Sequence, residues 1–260
     1  MKEKSKAKVI SQVQLTPGIY DLRLETGLAK HAGAGQFVGV YPQDKSTLLP
    51  RPISICESDG ESTLRLVYRV AGKGTAEFSQ AKSGDELFIL GVLGNGYDLS
   101  RLEGKKVLLL GGGIGIPPML ELAKELALKT SGTDVTIAVG YRDSQTFLKE
   151  DLERYGKVII ASEDGSVGTK GNVMDAIKAE GIEADVMCAC GPMPMLRAIK
   201  AYAEGKNIPA YISLEEHMAC GVGACLGCVV KTKNVDHHSH VNNARICTDG
   251  PVFEAQEVEI

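Results

Sequence analysis

Tryptophan is absent from the 260 residues, and aromatic side chains make up only 5% of them. Lys+Arg number 29 against Asp+Glu 33, and the pI lies near 5.8, so both the aromatic platforms and the positive excess of a nucleic-acid binder are missing. No run approaches ~18 uninterrupted apolar residues, which argues against a membrane-spanning helix. Lys2, Lys4, Lys6 and Lys8 open the chain, but no apolar stretch follows them to complete an export signal, and a cytoplasmic protein is expected. Walker A, H-E-x-x-H and a convincing Ser/His/Asp set are also missing.

What is present is a globular composition, 43% hydrophobic and 24% charged, with 30 glycines and two textures along the chain. The first hundred residues alternate apolar and polar positions in short runs: 9–15, 19–25, 36–41, 52–56, 64–70 and 86–90. That is the pattern of half-buried strands, and it predicts an antiparallel β-barrel with one short helix over 75–81. From residue 103 the runs become continuously apolar and alternate with amphipathic segments: strands at 107–110, 135–139, 158–161, 186–189 and 210–214, helices at 119–129, 144–155, 172–180 and 193–204. Strands buried on both faces imply a doubly wound α/β parallel sheet. The last zone has too little apolar material for its own core and would gain from a bound metal centre. The expected division is a barrel domain over 1–102, an α/β domain over 103–209 and a small metal subdomain over 210–260.

Seven cysteines are present, and four of them, Cys220, Cys225, Cys228 and Cys247, fall in the last 41 residues. The C-x4-C-x2-C loop with one distant cysteine is the plant-type [2Fe-2S] ligand spacing. Gly221, Gly223 and Gly227 leave room for backbone N–H groups to reach the sulfurs, which would offset the negative charge of the thiolate-bound centre. Zinc is the competing occupant, since four thiolates also satisfy it, although zinc ribbons use paired short knuckles. Cys56, Cys188 and Cys190 read as small buried hydrophobes. His237, His238 and His240 read as part of a solvated loop, and Glu215, Glu216 and His217 as a polar strand end.

Gly111, Gly112, Gly113, Ile114 and Gly115, then Pro117 and Pro118, stand between a strand and a helix, where glycines admit a dinucleotide to the backbone. Cys190, Gly191, Pro192 and Met193 follow another parallel strand and fall on the same carboxyl edge, where open α/β sheets bind ligands. Glu163 and Asp164 on that edge suit a ribose diol and favour NAD, while Arg142 leans mildly toward NADP. In the barrel half, Arg51, Pro52, Ile53 and Ser54 combine a bidentate anion donor with a hydroxyl suited to a flat heteroaromatic ring. Tyr68, Arg69 and Val70, followed by Gly74 and Thr75, form a second anion site. Two such sites on one barrel suggest FAD rather than FMN.

The order R-P-x-S, G-x-G-T, G-G-G-I-G-I-P-P and C-G-P-x-P-M resembles the ferredoxin-NADP reductase superfamily, and the tetracysteine end is similar to the electron-transfer subunits of type B dihydroorotate dehydrogenases. The resemblance covers nearly the whole chain. It implies FAD on Arg51, Pro52, Ile53, Ser54, Tyr68, Arg69, Val70, Gly74 and Thr75, and a [2Fe-2S] cluster on Cys220, Cys225, Cys228 and Cys247. It also implies a partner catalytic subunit that holds FMN and oxidises dihydroorotate, in a heterotetramer of two of each chain. Electrons would pass from that FMN through the cluster and FAD to NAD+, in pyrimidine (UMP) biosynthesis. This fits the chemistry, because NAD(H) exchanges two electrons, an iron–sulfur centre one, and a flavin either. A stand-alone NAD(P)H-dependent flavin/iron–sulfur reductase and a zinc-stabilised nucleotide-sensing module are the alternatives.

Overall fold

The computed structural model describes residues 2–235 and 240–260. His237 and His238 therefore lie outside the described residues, whereas His240 is exposed. Six strands close a barrel in the order β1 (Glu3–Thr16), β2 (Ile19–Glu25), β5 (Thr63–Arg69), β4 (Arg51–Ser58), β3 (Phe37–Tyr41), β6 (Glu86–Leu93) and back to β1. Every pairing is antiparallel, as the period-two pattern predicts. Pro17 and Gly18 make the β1–β2 turn, with Gly18 at φ +78°, a value glycine adopts without a Cβ penalty. Leu22, Leu24, Ile55, Leu64, Leu66 and Ile89 fill the barrel, each no more than 1% exposed. Burial of side chains this size contributes roughly 1.5–3 kcal/mol apiece. The short helix α1 (Lys73–Phe78) drops Phe78 into the same core, edge-on to Tyr68.

The second half is a seven-stranded sheet in the order β10 (Thr169–Lys170), β9 (Lys157–Ser162), β8 (Asp134–Tyr141), β7 (Lys106–Gly112), β11 (Val186–Cys190), β12 (Ala210–Ser213), β15 (Val252–Glu254). All neighbours are parallel except β12 and β15. Successive residues of β7 serve opposite faces. Val107 and Leu109 pack with α2 (Pro117–Lys129), while Leu108 and Leu110 pack with α4 (Val173–Ala179) and α5 (Met193–Lys206). Asn172 caps α4 through the N–H groups of Met174 and Asp175, and Asn207, at φ +55°, ends α5 in the left-handed conformation.

One expected helix is much shorter than its pattern. Of 144–155, only α3 (Lys149–Leu152) is helical. Leu148 sits at φ +64°, which breaks any helix across it, and the Phe147 carbonyl accepts the Tyr141 hydroxyl at 2.8 Å. Phe147 and Leu148 are thereby drawn onto the sheet as a loop, Phe147 edge-on to Tyr141.

From β12 the chain leaves the sheet, makes the cysteine loops and the β13 (Val229–Lys231) to β14 (Asn243–Arg245) pair, and returns as β15. Its buried residues Cys228, Ile246, Cys247 and Phe253 join the core on the α4/α5 face. The cysteine zone is thus built onto the sheet, which supplies the core it lacks. Among the described residues, no helix is long and apolar enough to cross a membrane.

Candidate functional site

Strand pairing opens a cleft at one end of the barrel. Residues 51–54 of β4 pair with β3, through Val40 with Arg51 and Phe37 with Ser54. Pairing of β4 with β5 begins only at Ile55 with Leu66, while Tyr68 and Arg69 of β5 pair with β2. The two strands splay, so Pro52 can stand in β4 without breaking a ladder, and backbone groups on that side face a cleft of about 420 Å³. Arg51, Pro52, Ile53, Ser54, Tyr68, Arg69 and Thr75 line it. Gly74 lies against the Arg51 side chain, where a Cβ would sit 2.9 Å from Nε. Val70 is outside the lining and donates its N–H to the Gly18 carbonyl. Thr75 Oγ1 accepts the N–H groups of Ala71 and Gly72, which fixes the glycine turn at the cleft.

The rest of the cleft comes from elsewhere in the chain. Ile114 of the glycine-rich turn lines it, as do Ser213, Leu214 and Glu215, Glu216, His217 and Met218 just beyond β12. Partial desolvation at the cleft pushes the Glu215 carboxyl up, against the pull of the Arg69 guanidinium, although the residue stays open to solvent. The sequence pattern makes this segment only a polar strand end. Its signal was position: it leaves a parallel strand at the carboxyl edge and leads directly into Cys220.

That edge also brings the two dinucleotide motifs together. A Cβ on Gly112 would lie 2.6 Å from Met195 Sδ, and one on Gly191 would lie 2.5 Å from Met195 Cε. Gly111 is hemmed less tightly, by Ile116 of its own turn at 3.0 Å. Gly112 and Gly191 let the two strand-to-helix turns touch, and Cys190, Pro192 and Met193 belong to the second of them. Gly113 is different: it has φ +53° and open space where a side chain would project. It is the point of the turn at which a flat ligand can approach the backbone. Glu163 and Asp164 stand exposed at the end of β9, their N–H groups donating to the Tyr141 and Arg142 carbonyls. Asp164 is held below the usual carboxylate range by Ser166.

The four cysteines of the C-terminal zone gather together. Cys220 interacts with Cys225, and buried Cys247 with buried Cys228 and with Cys220. Burial pushes the Cys220 thiol up, but N–H groups of Val222, Cys225 and Ala224 outweigh it and bring the thiol down to about 6. The Val222 amide is 3.4 Å from Cys220 Sγ, and the Gly227 amide 3.5 Å from Cys225 Sγ. Burial and the neighbouring Cys228 raise Cys247 to about 11, against a Gly223 N–H that pulls it down. Positive φ at Gly221, Gly223 and Leu226 turns these amides inward. The Ile246 N–H to Cys228 carbonyl bond and the Arg245–Asp249 pair tie the fourth cysteine to the loop. Among the described residues, no three ligating groups converge on a single-ion position. These four thiols and the amides around them would hold an iron–sulfur cluster, and the N–H groups would offset its thiolate charge.

The cysteine loop and the cleft are neighbours. Gly221 lies against Leu93 at the end of β6, and Asn95 just beyond it donates to the Thr248 and Asp249 carbonyls. Met218 lines the cleft, and Cys220 follows two residues later, a span of at most ~7 Å of chain.

Residues 215–259 match the model of the iron–sulfur cluster binding domain of dihydroorotate dehydrogenase B, and residues 109–201 that of an oxidoreductase NAD-binding domain. Over 257 residues the chain is 44% identical to the dihydroorotate dehydrogenase B (NAD+) electron transfer subunit of Listeria welshimeri, covering 97% of this chain and 98% of that one. With the same subunit of Streptococcus mutans it shares 40% over 258 residues, 98% of each chain. Among solved structures, an NADH-dependent reduced ferredoxin-NADP oxidoreductase described for flavin-based electron bifurcation superposes with TM-score 0.86 at 29% identity, covering 100% of this chain and 91% of that one. A ferredoxin NADP+ reductase from Neisseria gonorrhoeae with bound FAD and NADP shares the fold, with TM-score 0.63 at 17% identity over 75% of this chain and 87% of that one.

Proposed function

The chain belongs to the family of dihydroorotate dehydrogenase B (NAD+) electron transfer subunits, and on that premise we propose how its parts divide the work of an oxidoreductase subunit in pyrimidine biosynthesis. Its cofactors are FAD, a [2Fe-2S] cluster and NAD, which when bound supply two-electron exchange with the nicotinamide and one-electron exchange with the cluster. We assign FAD to residues 1–102, NAD to 103–209 and the cluster to 210–260. A single observation carries the reading: one cleft is lined at once by the barrel's Arg51 and Ser54, by Ile114 of the dinucleotide turn and by Met218, two residues before the first cysteine.

In this assignment Arg51, beside Gly74, takes the flavin's pyrophosphate, and Pro52, Ile53 and Ser54 present the unpaired edge of β4 to the ring. Tyr68, Arg69 and Thr75 close the other side, and Val70, behind the lining, ties the end of β5 to the Gly18 carbonyl. Gly111, Gly112, Gly113, Gly115, Cys190, Gly191, Pro192 and Met193 shape the nicotinamide edge, and Cys220, Cys225, Cys228 and Cys247 hold the cluster. Glu215 stands with Arg69 in the lining of the cleft.

Membership in the family implies a catalytic partner subunit. We further propose that this partner carries FMN, that two copies of each chain assemble, and that the complex works in the cytoplasm, where free thiols persist as metal ligands. Val222, Leu226, Val229, Val235 and Val241 stand exposed around the cysteine loop, beside a cavity of about 610 Å³, and offer the partner an apolar face next to the cluster. On this reading the cleft takes the flavin, and the pyrimidine belongs to the partner. The purified chain alone is therefore expected to form no orotate from dihydroorotate, and to do so once the partner is added; orotate formation by the chain alone would overturn the division of labour.

A further inference from the structure

Arg65, on β5 and 6% exposed, is a guanidinium with more carboxylates around it than its charge requires. Its Nη2 lies 2.9 Å from Asp21 Oδ2 on β2, and its Nη1 lies 3.3 Å from Glu57 Oε2 on β4. Both partners belong to the barrel. The third, Asp151, belongs to α3 of the nucleotide half and meets Nη2 at 3.0 Å, with its other oxygen 3.4 Å from Arg154. The neutral thiol of Cys56 is buried beside them. The same polar seam continues through Lys124 on α2, 3.6 Å from Glu57 and 3.7 Å from Glu121, and Glu121 accepts the Ser58 N–H at 2.9 Å.

Two features separate Asp151 from the other members. The barrel does not need it, because Asp21 and Glu57 already satisfy Arg65, so its loss leaves no uncompensated buried charge. Its position also couples both faces of the cleft. Arg65 is three residues, or ~10 Å of strand, from Tyr68 in the cleft. On the other side α3 packs on α2, and α2 starts two residues after Gly115, directly beyond the turn that places Ile114 in the cleft.

We propose that Asp151 is a positioning residue: through Arg65 it sets the Gly113–Gly115 turn, and the nicotinamide held there, in register with the flavin strands, an inference that rests on the functional reading above. It touches neither cofactor. Removing it leaves both halves folded and both cofactors bound, but broadens their relative placement, to which hydride transfer is steeply sensitive.

The test is anaerobic stopped-flow reduction of the purified FAD- and cluster-loaded chain by saturating NADH, in which a hydride, two electrons with one proton, leaves the nicotinamide for the flavin. Asp151→Asn is expected to slow flavin bleaching about three- to tenfold with unchanged flavin and iron content, and Asp151→Glu to recover part of the rate. Asp21→Asn, which removes a barrel partner of the same guanidinium, is expected to lower the unfolding temperature at least as much and to leave the rate within about twofold. An unchanged rate in D151N, equal slowing in D21N, or loss of flavin from D151N would each overturn the proposal. Failure of the unmutated chain to bleach at all would overturn the functional reading, and this inference with it.

Discussion

Gly115 stands so close to Cys190 that a Cβ on it would lie 2.3 Å from the Cys190 carbonyl oxygen. The contact joins the two strand-to-helix turns of the nucleotide half, and it separates two kinds of glycine in one motif. Gly115→Ala is expected to cost about 1–3 kcal/mol of stability through overpacking. Gly113→Ala, whose methyl would project into open space from a left-handed residue, is expected to cost about 1 kcal/mol and to raise the KM for NADH more than G115A does. Thermal melts and NADH titrations of the two variants, side by side, check the split; equal effects on KM would contradict it.

Arg51 holds its guanidinium against Gly74 and donates from Nη1 to the Leu49 carbonyl at 2.6 Å. As the cleft's cation for a pyrophosphate, its replacement by alanine is expected to weaken FAD binding by about 1.5–3 kcal/mol, roughly ten- to a hundredfold. Flavin fluorescence titration of the apoprotein reads this directly, and an unchanged affinity would remove Arg51 from the site.

Cys225 is the exposed member of the four thiols, on a loop that shares no strand with the barrel. Cys225→Ser is expected to lose iron and sulfide while keeping FAD. Iron, sulfide and flavin analysis of one sample checks it, and joint loss of flavin would mean that the two sites fold as one unit.

Glu121, only 3% exposed, is pushed above its ordinary value of 4.5 by burial, against the pull of Lys124 and the Ser58 N–H. A raised carboxyl pKa means that the native state holds the proton more tightly than the unfolded chain. The stability from this group is therefore complete below about 4.5 and is lost as pH rises through the folded value. Glu121→Gln, which keeps the acceptor for Ser58 and cannot ionise, is expected to gain stability relative to the unmutated chain across that window and to hold the gain above it. Urea midpoints from pH 4 to 8 measure the difference; a gain that shrinks with rising pH would reverse the sign.

The strands were legible because local chemistry fixes them. Alternation in 19–25 and 64–70 is enforced by one wet and one dry face, and on the proposed reading the Cys220, Cys225, Cys228 spacing answers to the size of the cluster. Helix 144–155 misled because its apolar period is real but serves a loop, with Phe147 and Leu148 packed on the sheet and Leu148 left-handed. The cleft itself was only half legible. Arg51 and Ser54 carry recognisable residue types, whereas the splay between β4 and β5 is a matter of register, and Met218 and Ile114 reach the cleft through tertiary folding that no local pattern encodes. In the dinucleotide turn the sequence pattern suggests room for a ligand, whereas three of its glycines, Gly111, Gly112 and Gly115, are crowded by the protein itself.

On the proposed reading one chain holds a flavin between a nicotinamide edge and a two-iron cluster. The most direct measurement is an anaerobic absorbance spectrum of the purified chain before and after one addition of NADH, with iron, sulfide, zinc and extracted flavin determined on the same sample. Expected are about two iron, two sulfide and one FAD per chain, with flavin and cluster bands that both bleach on addition of NADH. Zinc in place of iron, or a flavin band that NADH leaves unchanged, would contradict it.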